Sequence, residues 1–173
     1  MKYSLRLASL NDCAEIRSLY ERVASIEGGL ARKKNEITEE YITHFIQRSA
    51  DSGVIVVATD ISNDEIIGEI HCYNSTIDVF KHVLGELTIA VDPQYQGKGI
   101  GRLLFTKLLD IIKQEKLEIE RVELIARESN VKAIKFYESL GFKIEGRFEK
   151  RIRSVSGTYE ADIPMAWLRS VSA

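Results

Sequence analysis

The sequence is poor in cysteine, proline and tryptophan, with two, two and one of these residues among its 173. Two cysteines do not make a disulfide framework, so Cys13 and Cys72 are interpreted as reduced packing residues. No repeat, low-complexity segment or linker interrupts the sequence, and its length suits one well-packed domain. We therefore expect a single domain over residues 1–173.

An excess of one charge and a long hydrophobic run are also missing. The net charge of −2 gives no reason to expect a nucleic acid or a membrane as partner. The longest apolar run falls far short of the roughly 20 residues that a membrane helix needs. The N-terminus lacks the apolar core of a signal peptide. These features predict a cytoplasmic protein.

The histidines do not form a metal-binding pattern. His44, His71 and His82 are scattered along the chain, with no acidic or thiol partner at the spacing of a metal site. His71 and Cys72 are neighbours in a predicted strand and therefore point to opposite faces. We expect no bound metal.

Strand and helix patterns alternate along the chain. Apolar residues make up 45% and charged residues 29% of the sequence, as in an ordinary globular protein. Alternating and β-branched runs predict strands over residues 3–7, 54–58, 66–73, 85–91 and 121–127, and a hairpin of 142–153 with 158–168 around 154–157. Apolar residues at helical spacing predict four helices. They cover residues 11–28, residues 38–46, the stretch from a glycine-rich loop to residue 115, and residues 130–140. This order predicts one α/β domain with a mixed central sheet flanked by helices.

The glycine-rich loop joins the strand at 85–91 to the third helix. It comprises Gln96, Gly97, Lys98, Gly99, Ile100, Gly101 and Arg102. Glycine lets a backbone approach a ligand closely, and the first N–H groups of a helix bind anions. The loop is therefore either a cradle for phosphate or pyrophosphate, or only a tight turn. It does not match a dinucleotide fingerprint, because Arg102 stands where the third glycine belongs, and it lacks the Gly-Lys-Ser/Thr of a P-loop.

Two segments carry a resemblance to a known family. Residues 91–101, Val-Asp-Pro-Gln-Tyr-Gln-Gly-Lys-Gly-Ile-Gly, resemble the Q/R-x-x-G-x-G/A cofactor motif of the GNAT superfamily of N-acyltransferases. Residues 130–138 resemble its N-x-x-A-x-x-F-Y-E helix, and Leu-Gly-Phe follows at 140–142. The resemblance runs nearly end to end. It implies the GNAT fold and acetyl-CoA as co-substrate, without a metal.

The resemblance also implies which residues contact acetyl-CoA. The backbone of Ile89, Ala90 and Val91 would hold the pantetheine arm, and residues 96–102 would hold the pyrophosphate. Asn130 would touch the cofactor arm, and Tyr137 would lie beside the thioester sulfur.

Two residues are candidates for proton transfer. Tyr137 would protonate the leaving thiolate, since a phenol with a pKa of about 10 can donate to a thiolate whose acid has a pKa of about 8.5. Its alternative role is that of a core aromatic. Glu86, in an otherwise apolar strand, shares one face with Thr88 and Ala90 and is expected to be buried. It is either the base that deprotonates the acceptor or a structural carboxylate.

In the superfamily, two segments border the acceptor site, and here these are residues 27–37 and 142–168. The C-terminal segment looks like that of members acting on free amino acids or similar small amines. This favours a primary amine of a small molecule or peptide as acceptor. Four cationic residues either pair with an acceptor carboxylate or form a solvated surface, namely Arg32, Lys33, Arg151 and Arg153.

Two alternative functions stay open, a non-catalytic acyl-CoA-binding or regulatory domain and a transferase of longer acyl groups. A homodimer is compatible with the sequence.

Overall fold

The computed structural model describes residues 2–26, 28–154 and 157–170. Two compact units make up the chain, Met1–Tyr73 with Thr88–Leu117, and Asn74–Leu87 with Glu118–Ala173. Every helix in the described ranges is too short or too polar to span a bilayer.

The first unit contains strands and helices that follow the predicted order. Its helices are α1 (Cys13–Ala24), α2 (Glu39–Ser52) and α3 (Ile100–Glu115). Its strands are β1 (Tyr3–Leu7), β2 (Gly53–Asp60), β3 (Glu65–Asn74) and the C-terminal part of β4 (Val83–Val91). Strand β2 pairs antiparallel with both β1 and β3.

The second unit begins with the N-terminal part of β4. The elements that follow are β5 (Arg121–Arg127), α4 (Val131–Ser139), β6 (Lys143–Ile144), β7 (Phe148–Arg153) and β8 (Tyr159–Leu168). Strand β4 pairs parallel with β5, whereas β8 pairs antiparallel with β5, β6 and β7. The eight strands run in the order β1-β2-β3-β4-β5-β8-β6, with β7 beside β8. The predicted mixed α/β fold is confirmed.

The apolar faces of α1 and α2 bury against the strands of the first unit. The spacing that predicted the helices places their core residues on one side, and this cluster includes Ile16, Leu19, Tyr20, Phe45, Ile46, Val57, Ile66 and Ala90. Thr38 begins α2, because its hydroxyl accepts a hydrogen bond of 3.1 Å from Tyr41 N. The predicted start of α2 is therefore confirmed.

Three predicted boundaries differ from the structure. Helix α1 ends at Ala24, because Ile26 N donates to Val23 O and tightens the last turn; Glu27 lies outside the described residues. Helix α2 continues past residue 46 to Ser52. Residues 142–153 form two short strands rather than one, and a φ of +52° at Lys150 distorts β7. Ser154 N donates to Thr158 O at 2.9 Å and closes the β7–β8 hairpin, although Val155 and Ser156 of its turn lie outside the described residues.

Gly68 of β3 allows α3 to pack closely on the sheet. A Cβ at this position would lie 2.9 Å from Leu104 Cδ1 and 3.0 Å from Ile100 Cγ2, and both side chains are buried. We expect Gly68→Ala to lower the free energy of unfolding by about 1–3 kcal/mol, because the neighbours must shift to admit the methyl group. The control is Gly85→Ala, where a Cβ meets no atom within 4 Å. Urea denaturation that gives both variants the same stability would contradict this.

Candidate functional site

Asp92, which is 4% exposed, holds the start of the loop between β4 and α3. Its backbone N–H donates to Ile67 O in β3 at 2.9 Å, and Gln94 N donates to its Oδ1 at 2.9 Å. The other carboxylate oxygen accepts a hydrogen bond of 2.6 Å from Arg22 Nε in α1. Asp92 thus ends β4, as predicted, and fixes the direction in which the chain enters the loop.

The pair of Arg22 and Asp92 is expected to stabilise the fold measurably. Arg22→Ala leaves a buried carboxylate without its charged partner, so we expect the free energy of unfolding to fall by about 1–3 kcal/mol. The control is Arg17→Ala on the same helix, since Arg17 pairs with Glu21 at a partly exposed position and should contribute at most about 0.5 kcal/mol. Thermal or urea unfolding checks the difference. Equal losses for the two arginines would show that the pair with Asp92 has no special role.

Tyr95 fixes the middle of the loop. Its hydroxyl donates to Asp60 Oδ2, at the end of β2, at 3.0 Å. This hydrogen bond raises the pKa of Tyr95. The ammonium of Lys98 lies 4.6 Å from the centre of the Tyr95 ring, and Gln96 Nε2 donates to Val91 O at 3.3 Å. The loop is therefore tied to both β2 and β4.

The glycines give the loop a backbone shape that other residues rarely adopt. Gly97 and Gly99 have φ values of +76° and +85°, in the left-handed region. Gly99 immediately precedes α3, and the first bond of the helix runs from Leu103 N to Gly99 O at 3.1 Å. The N–H groups of residues 100–102 come before the first hydrogen bond of the helix and therefore have no acceptor within it. They lie at the positive end of α3, where an anion is favoured. A cradle of this kind fits the pyrophosphate of acetyl-CoA.

Asn130 and Tyr137 lie in the second unit, at the start and near the end of α4. Asn130 Oδ1 accepts a hydrogen bond of 3.1 Å from Ala133 N and caps the helix, as predicted. The centre of the Tyr137 ring lies 5.6 Å from that of Phe136 and 6.3 Å from that of Phe142. Burial raises the pKa of Tyr137, so its phenol is protonated at neutral pH. A protonated phenol is the form that an acid requires.

Glu86 is exposed, so the expectation of a buried carboxylate is wrong. Its backbone φ of +52° lies in the left-handed region and interrupts the alternation on which that expectation depended. Ala90 is buried, and Thr88 is half-buried. Non-glycine residues with positive φ store strain and occur often at functional sites, which keeps Glu86 a candidate for a different reason.

Each unit contributes some of the predicted site residues. The first unit contains residues 89–91 and 96–102, and the second contains Glu86, Asn130 and Tyr137. Within the described residues, two of the four predicted cations have side-chain contacts. The Arg32 guanidinium lies 4.0 Å from the centre of the Tyr41 ring, and Arg151 lies 3.3 Å from Asp162. Lys33 and Arg153 are exposed.

A buried polar cluster in the first unit was not predicted from the sequence. Glu69 and His71 of β3 and Tyr20 of α1, called the Glu69 cluster below, are at most 2% exposed. Tyr20 Oη donates to Glu69 Oε2 at 2.5 Å, and His71 Nδ1 lies 3.0 Å from Glu69 Oε1. From the sequence, His71 was considered only for a metal site, and its contact with Glu69 was not predicted; this contact forms because residues two apart on a strand share one face. Within the described residues, no group of three or more acidic, histidine or cysteine side chains is placed to hold a metal.

Comparisons with known proteins agree with the expected family. The model of the acetyltransferase (GNAT) family matches residues 13–142. The [ribosomal protein bS18]-alanine N-acetyltransferase of Escherichia coli K12 is 49% identical over 63 residues. These residues are 35% of this chain and 41% of that protein, so the chain spans about two fifths of this relative. The L-amino acid N-acyltransferase MnaT of the same strain is 26% identical over 148 residues, 82% of this chain and 80% of that protein. A putative acetyltransferase from Salmonella typhimurium, solved with its cofactor acetyl-CoA, superposes with a TM-score of 0.84 at 19% identity, over 100% of this chain and 97% of that one.

Proposed function

Because the chain belongs to the GNAT acetyltransferase family, we propose that it transfers an acetyl group from acetyl-CoA to a primary amine of a small molecule or peptide. The observation that carries the proposal is the shape of the glycine loop. Gly97 and Gly99 adopt left-handed conformations directly before α3, and Asp92 and Tyr95 hold the loop in place. Such a preformed cradle binds a pyrophosphate with little loss of conformational entropy.

Three parts of the chain would hold acetyl-CoA in this proposal. The N–H groups at residues 96–102 bind the pyrophosphate, and Lys98 and Arg102 add positive charge. The backbone of residues 89–91 binds the pantetheine arm. Asn130 contacts the arm, and Tyr137 lies beside the sulfur.

The transfer proceeds directly in a ternary complex with both substrates. A neutral amine attacks the thioester carbonyl, and the carbon–sulfur bond breaks to release a thiolate. Tyr137 donates a proton to that thiolate, since burial keeps its phenol protonated. Glu86 is the candidate base, because its exposed carboxylate is open to an acceptor and its backbone is strained.

The acceptor is proposed to be an amino acid or a similar small amine. MnaT, which is named as an L-amino acid N-acyltransferase, is similar over most of both chains. The bS18-alanine acetyltransferase is similar over a shorter segment, and its name points to an α-amine at the end of a peptide. The α-amine at the end of a peptide needs about 1–1.5 kcal/mol to lose its proton at pH 7, whereas a lysine-type amine needs about 4.5 kcal/mol.

Replacing Glu86 tests its role as a base. We expect Glu86→Gln to slow transfer more steeply for lysine-type acceptors than for α-amines, because lysine-type amines lose their proton at greater cost. The measurement compares kcat/KM of the variant and the wild type on one acceptor of each type. Glu123→Gln in β5 is the matched control. Equal rates for variant and wild type on every acceptor would remove Glu86 from the mechanism.

A panel of amines incubated with acetyl-CoA tests the proposed function, with release of free coenzyme A thiol as the signal. We expect thiol release with at least one amino acid or small amine. Binding of acetyl-CoA without thiol release across the panel would favour a non-catalytic acyl-CoA-binding domain. Repeating the panel with longer acyl-CoA esters separates an acetyltransferase from a transferase of longer acyl groups.

A further inference from the structure

The hydrogen bonds of the Glu69 cluster determine where its protons lie. Burial raises the pKa of Tyr20 well above its ordinary value, so its hydroxyl remains a donor to Glu69 Oε2. We assign the second bond, of 3.0 Å to Oε1, to His71 Nδ1–H as donor, because carboxylate oxygens accept hydrogen bonds. Nε2 of the neutral imidazole is then left as an acceptor.

Stacking fixes the direction in which His71 Nε2 points. The Phe45 ring of α2 lies nearly parallel to the imidazole, with centres 4.0 Å apart and planes 9° apart. The Tyr73 ring is also parallel, at 6.1 Å. A half-turn of the imidazole would keep the contact with Phe45 but would break the bond to Glu69, and a smaller rotation would also disturb the stacking. The imidazole therefore has one orientation.

Nε2 of His71 has no hydrogen-bond partner within the described residues, although His71 is only 2% exposed. All hydrogen-bond contacts of His71 within the described residues use Nδ1, with Glu69 and Tyr20 as partners. In that part of the chain, Ser49 Oγ is the one fully buried side-chain polar atom without a hydrogen-bond partner. Nε2 of His71 is not among these fully buried atoms.

The pairing of β3 with β4 places His71 beside the strand proposed to hold the cofactor. Strands β3 and β4 are neighbours joined by a short segment, 75–82, which favours antiparallel pairing. The bond from Asp92 N to Ile67 O sets the register. Extending this register places Glu69 opposite Ala90 and His71 opposite Thr88. His71 thus lies across from the residue that precedes the pantetheine-binding segment 89–91.

We propose that His71 Nε2 accepts the proton that the acceptor amine must lose, through one intervening water, and that Glu69 and Tyr20 are positioning residues for the imidazole. This inference rests on the proposed function. An α-amine has a pKa of about 8, and the ordinary pKa of an imidazole, about 6.5, is closer to it than that of a carboxylate, about 4.3. In this proposal His71 takes the place of Glu86 as the base for α-amine acceptors, and Glu86 stays the candidate base for lysine-type acceptors.

Every proton and bond in this step is accounted for. The ammonium gives one proton to Nε2, and the resulting imidazolium is stabilised by Glu69. The free amine forms the carbon–nitrogen bond, and the electrons of the carbon–sulfur bond leave with the sulfur, which takes a proton from Tyr137. The nitrogen loses its second proton to solvent, the tyrosinate recovers one from solvent, and His71 returns its proton to solvent. One proton is released per acetyl group transferred.

His71→Asn tests the proposal, because its amide N–H keeps a donor for Glu69 while Nε2 is removed. With the best acceptor of the amine panel at saturation, we expect kcat to fall about 100-fold while the Kd of acetyl-CoA changes by less than about twofold. Added imidazole should restore part of the lost rate. His82→Asn is the matched control, because His82 is exposed, and it should keep the wild-type kcat.

Glu69→Gln tests the positioning role without changing the size of the side chain. The glutamine amide offers its own N–H to Nδ1 and so favours the tautomer with hydrogen on Nε2, which cannot accept a proton. We expect kcat to fall at least tenfold while the Kd of acetyl-CoA stays within about twofold of the wild-type value. Besides Glu69, the titratable groups shown in contact with the imidazole within the described residues are Tyr20, whose hydroxyl lies 3.4 Å from Nδ1, and Tyr73, whose ring stacks at 6.1 Å. The guanidinium of Arg48 lies 5.3 Å from the centre of the Tyr73 ring.

The outcomes separate this proposal from the proposed function. A wild-type protein that binds acetyl-CoA but releases no thiol with any amine would overturn both. An active wild type together with a folded His71→Asn variant of unchanged kcat would overturn the role of His71 alone. A variant that loses kcat and acetyl-CoA affinity in parallel, without rescue by imidazole, would show that His71 is only structural. If His71→Asn does not fold, an unchanged kcat of Glu69→Gln overturns the proposal.

Discussion

Tyr137→Phe is expected to lower kcat about 100-fold while leaving the Kd of acetyl-CoA within about twofold of the wild-type value. Phenylalanine keeps the ring that packs against Phe136 and Phe142 and removes only the hydroxyl. The thiolate then leaves without a hydrogen-bond donor, and the loss falls on the chemical step. Steady-state kinetics together with a titration of acetyl-CoA measures both quantities.

The pH dependence of the wild type gives a second check on Tyr137. Burial raises the pKa of its phenol above the ordinary value of about 10. The protonated form is the active one, so the contribution of Tyr137 is complete at neutral pH and is lost only as the pH rises through this raised pKa. The control is Tyr159→Phe, since Tyr159 is 59% exposed and should tolerate the same change. An unchanged kcat of Tyr137→Phe would reduce Tyr137 to a core aromatic.

Gly99→Val is expected to weaken acetyl-CoA binding at least tenfold, because a β-branched residue does not adopt a φ of +85° without strain. A Cβ at Gly99 meets no atom within 4 Å, so the effect comes from the backbone rather than from a clash. The loop would relieve the strain by changing shape, and the N–H groups at the start of α3 would no longer converge on a phosphate. Isothermal titration with acetyl-CoA measures the change.

Gly157 provides a control of the same geometry. It also has a φ of +85°, and a Cβ there also meets no atom within 4 Å, but it lies in the β7–β8 turn. Gly157→Val should therefore introduce similar backbone strain without changing the affinity for acetyl-CoA. If both valine variants bind acetyl-CoA as tightly as the wild type, the loop is only a tight turn.

Local signals in the sequence were enough to predict most of the fold. The capping residues Thr38 and Asn130 accept the hydrogen bonds expected of them, and Gly99 adopts a left-handed conformation that glycine reaches without strain. These features depend on residues within one helical turn. The order of the helices and strands and the position of the glycine loop could therefore be predicted from the sequence alone.

Features that depend on distant residues were missed or wrong. Tyr20 is 49 residues from Glu69, and Arg22 is 70 residues from Asp92, so no local pattern reveals these contacts. Glu86 was expected on a buried strand face, but one positive φ overrides the alternation there. The Glu69–His71 pair is the exception, since a carboxylate and an imidazole two apart in an apolar strand were a visible signal.

The central claim is that this chain acetylates a primary amine from acetyl-CoA. Its most direct test is mass spectrometry of an amino-acid panel after incubation with acetyl-CoA carrying an isotopic label in the acetyl group. The account predicts a labelled N-acetyl product that is absent without protein and strongly reduced with Tyr137→Phe. Tight binding of labelled acetyl-CoA with no labelled product from any amine would contradict it.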